Sequence, residues 1–353
     1  MKFESAPPSA EGSPLLSDLE ILLLIPHEVS VVIPVYKGEL SLAALLDEIE
    51  PLTRVTAVES GTRFVVKEVL LVFDNGPDDS ASVIRSLAEK HSFVRPVWLS
   101  RNFGQHSATL AGMASSGSEW IVTMDEDGQH NPRDIGKLLS AALQWGAPLV
   151  YGRPTNAAPH GLLRNAASRW SKIIVSKLST GQNVSDFQSF RLVLGEVGRS
   201  VAAYAGVGVY LDVALGWIAS TTVTADIELR SDSGRESGYT YRTLLSHFWR
   251  LVLTSGTRAL RLVSLLGALV ALSGFILGIY FIFENLVSGS LPVGYTSTIT
   301  VLLFSTGAIL VALGVIAEYV GVSVNMAMGK PLYLIVSDPH DGPLGRRPVS
   351  DKR

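Results

Sequence analysis

The stretch Glu119-Trp120-Ile121-Val122-Thr123-Met124-Asp125-Glu126-Asp127-Gly128-Gln129-His130-Asn131-Pro132 decides the fold. An apolar, β-branched run reads as a buried strand. It delivers Asp125 and Asp127 to its carboxyl edge, where open α/β sheets bind ligands. Two carboxylates one residue apart repel each other unless a cation or a cluster of donors compensates them. Hard carboxylate oxygens suit Mg²⁺ or Mn²⁺, and Gln129 can add a neutral oxygen. Such a metal neutralises a departing diphosphate. A solvated turn is the other reading of the same residues.

Working outward, strand and helix alternate. Val29–Val35 is a strand by its β-branched run, and Leu42, Leu45, Leu46 and Ile49 share one face of a helix over residues 40–52. Phe64–Phe73, Val94–Leu99 and Leu149–Gly152 read as further strands. Ala81–His91, Thr109–Ser115 and Pro132–Gln144 read as helices. This alternation predicts an α/β domain with a mostly parallel central sheet covered on both faces. Beyond residue 155 the pattern is less regular. Leu162–Leu178 has the spacing of a basic amphipathic helix, and Ser185–Leu194 and Thr221–Leu229 read as strands.

The composition is apolar, with 47% hydrophobic and 17% charged residues, and the net charge is −3. That balance gives no global basic field for nucleic acid. Cysteine is absent, which excludes disulfides and thiolate chemistry. The first 28 residues read as a tail: Leu19–Ile25 is apolar but short, and acidic residues stand where a signal peptide wants basic ones. The apolar excess sits near the carboxyl end. Leu262–Phe283 is uncharged over 22 residues and Ile299–Ala317 is uncharged as well. About 20 apolar residues cross a bilayer core, so residues 262–322 are expected to form two transmembrane helices with a short external loop. Arg242, Arg250, Arg258 and Arg261 precede them, and Lys330, Arg346 and Arg347 follow. This predicts a multi-pass plasma-membrane protein with both termini and the catalytic domain cytoplasmic. Leu244, Phe248 and Val252 share a face of an amphipathic juxtamembrane segment, 236–261, that lies on the bilayer or simply extends the first span. Gly267, Ala271, Gly274 and Gly278 allow close packing of spans and a homo-oligomer.

Two other strand ends carry polar chemistry. Asp74, in Val72-Phe73-Asp74-Asn75-Gly76-Pro77-Asp78-Asp79, either takes a base or ribose hydroxyl or caps its turn. Arg101, in Ser100-Arg101-Asn102-Phe103-Gly104-Gln105, either pairs a phosphate or is a surface loop arginine. Taken in order, Val31–Tyr36, the Asp74 turn, Ser100–Gly104, Met124–Gln129 and Tyr151–Arg153 resemble family 2 glycosyltransferases of the GT-A fold. Ser189–Leu192, Gly234–Tyr239, Ala317–Gly321 and Lys330–Leu334 extend the resemblance to the bacterial polyprenyl-phosphate glycosyltransferases, relatives of dolichol-phosphate mannose synthase. It covers roughly residues 29–336, with the catalytic domain over 29–235 and a cytoplasmic tail over 323–353.

The resemblance implies that Pro34, Tyr36, Asp74, Arg101 and Asp125 bind the nucleotide-sugar. Asp125, Asp127 and Gln129 would hold the metal and diphosphate. Arg153, Arg191, Arg230, Ser237 and Tyr239 would face the acceptor phosphate, with Asp127, Arg191 and Arg153 closest to the chemistry. The expected reaction is transfer of one hexosyl unit from a UDP- or GDP-sugar to polyprenyl phosphate, with inversion. The chain departs from the family pattern twice: Phe73 stands where a first acid is usual, and Ser189 where Asp-Phe-Arg is usual. Those departures keep open an inactive membrane-anchored scaffold, and a glycosyltransferase with a different lipid or glycan acceptor is the other alternative. A processive synthase is not expected, since the chain has no Gln-x-x-Arg-Trp segment.

Overall fold

The computed structural model describes residues 25–156 except 59, residues 187–230 except 207 and 208, residues 294–342, and scattered helical residues between 263 and 287. The expected helix at 162–178 and the amphipathic segment 236–261 lie outside the described residues, and the first expected span, 262–283, is described at scattered helical positions only.

Among the described residues, nine strands form one mixed sheet. They are β1 (His27–Val35), β2 (Thr56–Ala57), β3 (Arg63–Phe73), β4 (Val94–Leu99), β5 (Trp120–Thr123), β6 (Leu149–Pro154), β7 (Arg191–Leu194), β8 (Thr222–Ile227) and β9 (Ile335–Val336). The order is β8-β6-β7-β5-β1-β3-β4-β9, with β2 beside β3. The centre, β5-β1-β3-β4, is parallel. β7 runs antiparallel between β5 and β6, and β9 closes the far edge antiparallel to β4. β6 and β8 pair in parallel at the other margin, so the sheet is mostly parallel, as expected. The antiparallel exceptions are the short β2 and the strands β7 and β9, which arrive from long excursions rather than from one crossover helix each.

Both faces of the central strands are buried, and alternation decides which side chain goes where. Val31, Ile33 and Val35 of β1, with Val69, Leu71 and Phe73 of β3, enter one cluster. Helices α1 (Leu42–Ile49), α2 (Ser80–Lys90) and α4 (Ile135–Trp145) cover it. Val32, Leu70 and Val72 enter the other cluster, under α3 (Gln105–Ser115), α5 (Gly195–Tyr204) and α6 (Leu211–Ile218). Helix α3 lies close to the sheet because Gly112 faces it. A Cβ there would come within 2.3 Å of Val32 Cγ1 and 2.9 Å of Val72 Cγ2. α3 also begins four residues before the sequence pattern suggested. Gly104, at φ 91°, turns the chain into the helix at a place where no apolar period announces it.

The last described helix, α7, runs from Tyr295 to Ala327 over 33 residues. At 1.5 Å per residue it is roughly 50 Å long, more than the ~30 Å hydrocarbon core requires. Its segment Phe304–Val324 is long and apolar enough to cross a membrane, and none of that window is buried. The helix passes beyond the uncharged run 299–317 because Glu318 interrupts the apolar composition without interrupting the backbone. The segment expected to be a tail instead returns to the sheet as β9.

Candidate active site

The parallel strands end on one side of the sheet, and their carboxyl ends border a cavity of about 800 Å³. Pro34 and Tyr36 at the end of β1, Thr123–Asp125 at the end of β5, and the segment Phe187–Ser189 with Arg191 form part of its wall. Asn102–Ser107 brings in the amino end of α3. Val209, Tyr210, Asp212 and Leu332 complete the side that is mostly apolar.

Asp125 is held from two directions. Gln105 Nε2 donates to Oδ1 and Ser189 Oγ to Oδ2, both at 2.6 Å. A carboxylate offers about four lone-pair sites, so two neutral donors orient it and leave capacity for a ligand. The second carboxylate, Asp127, accepts from the backbone N–H of Gln129 at 3.0 Å, which tightens the turn at Gly128. Glu126, between them, is not directed at the cavity. Its two oxygens accept from the backbone N–H groups of Tyr36 and Lys37, each at 2.9 Å, and fix the loop after β1.

Asp74 is buried and is not among the residues lining the cavity. Its oxygens accept from the N–H groups of Phe103 and Gly104 at 2.7 and 2.8 Å. Burial raises its pKa, against the pull of those two bonds and of Arg101. These bonds fix the loop that carries Gln105. Arg101 lies over the Phe103 ring, 4.1 Å from its centre, and is exposed. Gly76 lets the Asp74 turn lie against the Tyr36 carbonyl, which a Cβ would approach to 1.7 Å.

The expected acceptor-side cations separate. Arg191 lines the cavity and is 4% exposed. It pairs with Asp212, and Tyr151 donates to the same Asp212 oxygen at 2.8 Å. Burial pushes the Asp212 carboxyl up while Arg191 and Tyr151 pull it down; Asp212 in turn raises Arg191 against the effect of its burial. Arg153 lies outside the cavity wall, paired with Asp226 at 2.7 Å on β8. Arg230 pairs with Glu48 at 2.7 Å, and its backbone N–H donates to the Gln129 carbonyl at 3.0 Å. Arg153 and Arg230 thus sit in exposed ion pairs because each meets a carboxylate on a neighbouring element. Ser237 and Tyr239 lie outside the described residues.

Sequence reasoning missed Gln105, Glu126, Asp212 and Leu332. Gln105 and Glu126 stood inside quoted motifs, and their polarity beside Asp125 was the available signal. Asp212 opens an ordinary-looking helix and carried none. His130 follows the Asp125–Gln129 turn, stacks on Phe190 at 5.0 Å and has a buried Nδ1 with no hydrogen-bond partner among the described residues. Burial lowers its pKa. A separate group, Asp47, Glu50 and His91, brings ligand atoms within 4.8 Å of one another. It lies at the far ends of α1 and α2, on the side of the sheet opposite the cavity.

A family model described as glycosyl transferase family 2 matches residues 30–195. The undecaprenyl-phosphate 4-deoxy-4-formamido-L-arabinose transferase of Edwardsiella ictaluri (strain 93-146) is 30% identical over 312 residues, covering 87% of this chain and 93% of that protein. The transferase of the same name from Pseudomonas aeruginosa (strain LESB58) is 30% identical over 311 residues, covering 87% and 89%. Among solved structures, glucosyl-3-phosphoglycerate synthase from Mycobacterium tuberculosis matches 66% of this chain and 79% of its own, at 18% identity and a TM-score of 0.45.

Proposed function

The chain belongs to the family 2 glycosyltransferases, and on that premise we propose that it moves one glycosyl unit from a UDP- or GDP-sugar to polyprenyl phosphate at the cytoplasmic face of a membrane. One observation carries the reading. The cavity that holds the strand-end Asp125 also holds Leu332, five residues beyond a helix long and apolar enough to cross a bilayer. A donor site and a lipid's point of entry therefore share one cavity. The names of the relatives specify a 4-deoxy-4-formamido-L-arabinosyl unit and undecaprenyl phosphate. They support this acceptor, and they put a substituted pentose beside hexoses among the donor sugars to test.

Asp125, Asp127 and Gln129 fit a hard divalent cation, Mg²⁺ or Mn²⁺. Two carboxylates and an amide are an oxygen set, and the hydrogen bonds on Asp125 orient it without exhausting its lone pairs. When bound, such an ion supplies charge neutralisation to the nucleoside diphosphate. The protein's own groups do the rest. A phosphate monoester with a second pKa near ~6 is mostly dianionic at neutral pH, so it needs positioning rather than deprotonation. Its oxygen attacks the anomeric carbon as the bond from that carbon to the diphosphate breaks, which inverts the configuration. Arg191, kept charged by Asp212, has N–H donors left for the acceptor phosphate. The amino end of α3 presents backbone N–H groups to the same cavity. Ser189 in place of an aspartate is compatible with this chemistry, because no general base is required.

The test uses the full-length chain in detergent with undecaprenyl phosphate and a panel of UDP- and GDP-linked hexoses and amidopentoses, read by mass spectrometry of the lipid. One donor is expected to give a glycosyl-phosphoryl lipid. Asp127→Ala is expected to reduce its rate by about a hundredfold or more. Wild-type-like transfer by that variant would sink the metal assignment, and transfer only to non-phosphorylated lipids would sink the acceptor.

A further inference from the structure

We propose that the ion pair between Arg85 and Asp338 is a positioning clamp for the lipid acceptor. It ties the segment leaving the membrane helix to the sheet edge and so holds Leu332 in the cavity wall. The proposal rests on polyprenyl phosphate being the acceptor.

After Ala327 the helix closes at Gly329, whose φ is 63°. The chain then crosses the cavity wall at Leu332 and docks on β4. Ser100 N–H donates to the Leu334 carbonyl at 3.0 Å. Leu99 and Trp98 face Ile335 and Val336 across the antiparallel pair. A strand of two residues at a sheet edge has few bonds of its own and needs further support. Arg85 of α2 supplies it. Its Nε and Nη2 donate to the two Asp338 oxygens at 2.7 and 2.8 Å, and its guanidinium carbon lies 5.0 Å from the centre of the Trp98 ring. Asp338 also accepts from His340 N–H at 2.9 Å. A planar fork on a carboxylate fixes direction as well as distance, and here both partners are largely shielded, with 29% and 15% of their side chains exposed.

The consequence reaches the wall formed by Leu332 and Asn102–Gly104 first. β4 continues through Ser100 into Asn102–Gly104, which forms the adjoining wall. Strap and wall therefore share one anchor. From Ala327 to Leu332 the chain can span at most about 17 Å, so the clamp limits how far the membrane helix strays from the cavity. Leu332, Val209 and Phe187 offer apolar contact to the first isoprene unit of a lipid whose phosphate faces Arg191. The donor side, with Pro34, Tyr36 and Asp125, rests on β1 and β5 nearer the middle of the sheet.

The experiment measures KM for undecaprenyl phosphate, KM for the donor and Tm for full-length Arg85→Ala, Asp338→Ala and Arg85→Lys. Each alanine variant is expected to raise the acceptor KM roughly tenfold, with donor KM and kcat within about twofold. Arg85→Lys, which keeps the charge but loses the fork, is expected to fall between. An unchanged acceptor KM in the alanine variants overturns the proposal, whatever Tm does, and so does an equal rise in both KM values. If the alanine variants fail to fold, an unchanged acceptor KM in Arg85→Lys overturns it and a raised one supports it. Transfer to undecaprenyl phosphate by the wild type leaves only the clamp at stake; its absence overturns clamp and acceptor together.

Discussion

Ser189 shows how one residue can change the electrostatics of a carboxylate site. An aspartate there would place a third acid against Asp125, whereas the serine hydroxyl donates to it at 2.6 Å. With Asp125 as the proposed metal ligand, Ser189→Ala is expected to lower kcat/KM about tenfold, the scale of losing a partner that orients such a ligand. Ser189→Asp is expected to reach half-maximal rate at lower Mn²⁺, because an added carboxylate against Asp125 strengthens the attraction for a divalent cation. A Mn²⁺ titration of transfer, with calorimetry of donor binding, checks both. Asp212 is the structural counterpart. Asp212→Asn leaves the buried Arg191 without its counter-charge, and breaking such a pair costs about 3–5 kcal/mol. Urea unfolding of the variant measures this; a loss under 1 kcal/mol would show that the pair is not needed to hold Arg191. The serine's role was partly legible, since a departure from Asp-Phe-Arg marks position 189. The Arg191–Asp212 pair was not, since its partners are 21 residues apart in different elements.

Among the elements, β1, β3, β4 and β5 were the most legible. Their β-branched runs leave no room for a helix, and the turns at Asp74 and Gly128 punctuate them. Helix α3 was read only in part. Its first turn, Gln105–Ser107, is polar because it borders the cavity rather than the core. Its position depends on Gly112, where helix and sheet come closest. Gly112→Ala must push the helix off Val32 and Val72, and overpacking of this kind costs about 1–3 kcal/mol. The same displacement carries Gln105 away from Asp125, so transfer is expected to fall more than donor-independent stability does. Unfolding and transfer assays on one preparation separate the two effects.

At the scale of the molecule, a second polar device holds the opposite edge of the sheet. Glu68 on β3 accepts from Ser30 Oγ and Gly117 N–H, both at 2.7 Å, and pairs with Arg95. Burial works to raise its pKa, but these three partners outweigh burial and hold it below 4.5. The unfolded chain then binds the proton more readily than the folded one. The contribution of Glu68 is therefore complete above about pH 4.5 and is lost as pH falls through the lower folded value. Glu68→Gln is expected to destabilise by about 1–3 kcal/mol at pH 7, with the difference from wild type shrinking in more acidic buffer. Urea midpoints across pH 3–7 check the sign; a gap that widens on acidification would falsify it. The amino edge is thus pinned by a carboxylate and the carboxyl edge is left open for ligands.

Local physics determined what the sequence alone could show. Apolar periods set the central strands and their helices, glycine- and proline-rich turns ended them, and the strand end placed Asp125 at the carboxyl edge of the sheet with Asp127 two residues on. The uncharged run at 299–317 announced an apolar helix by length alone. Tertiary structure decided the partners. Asp74 proved to hold a loop, Glu126 the turn after β1, Arg153 and Arg230 their own carboxylates, and the residues after Ala327 an edge strand that carries Leu332 into the cavity. The physical reason is the same throughout. Strand and helix follow from neighbours a few residues away, whereas a buried or clustered polar group must find its partner wherever the fold brings one. Arg85 and Asp338, 253 residues apart, carry no local signature of each other.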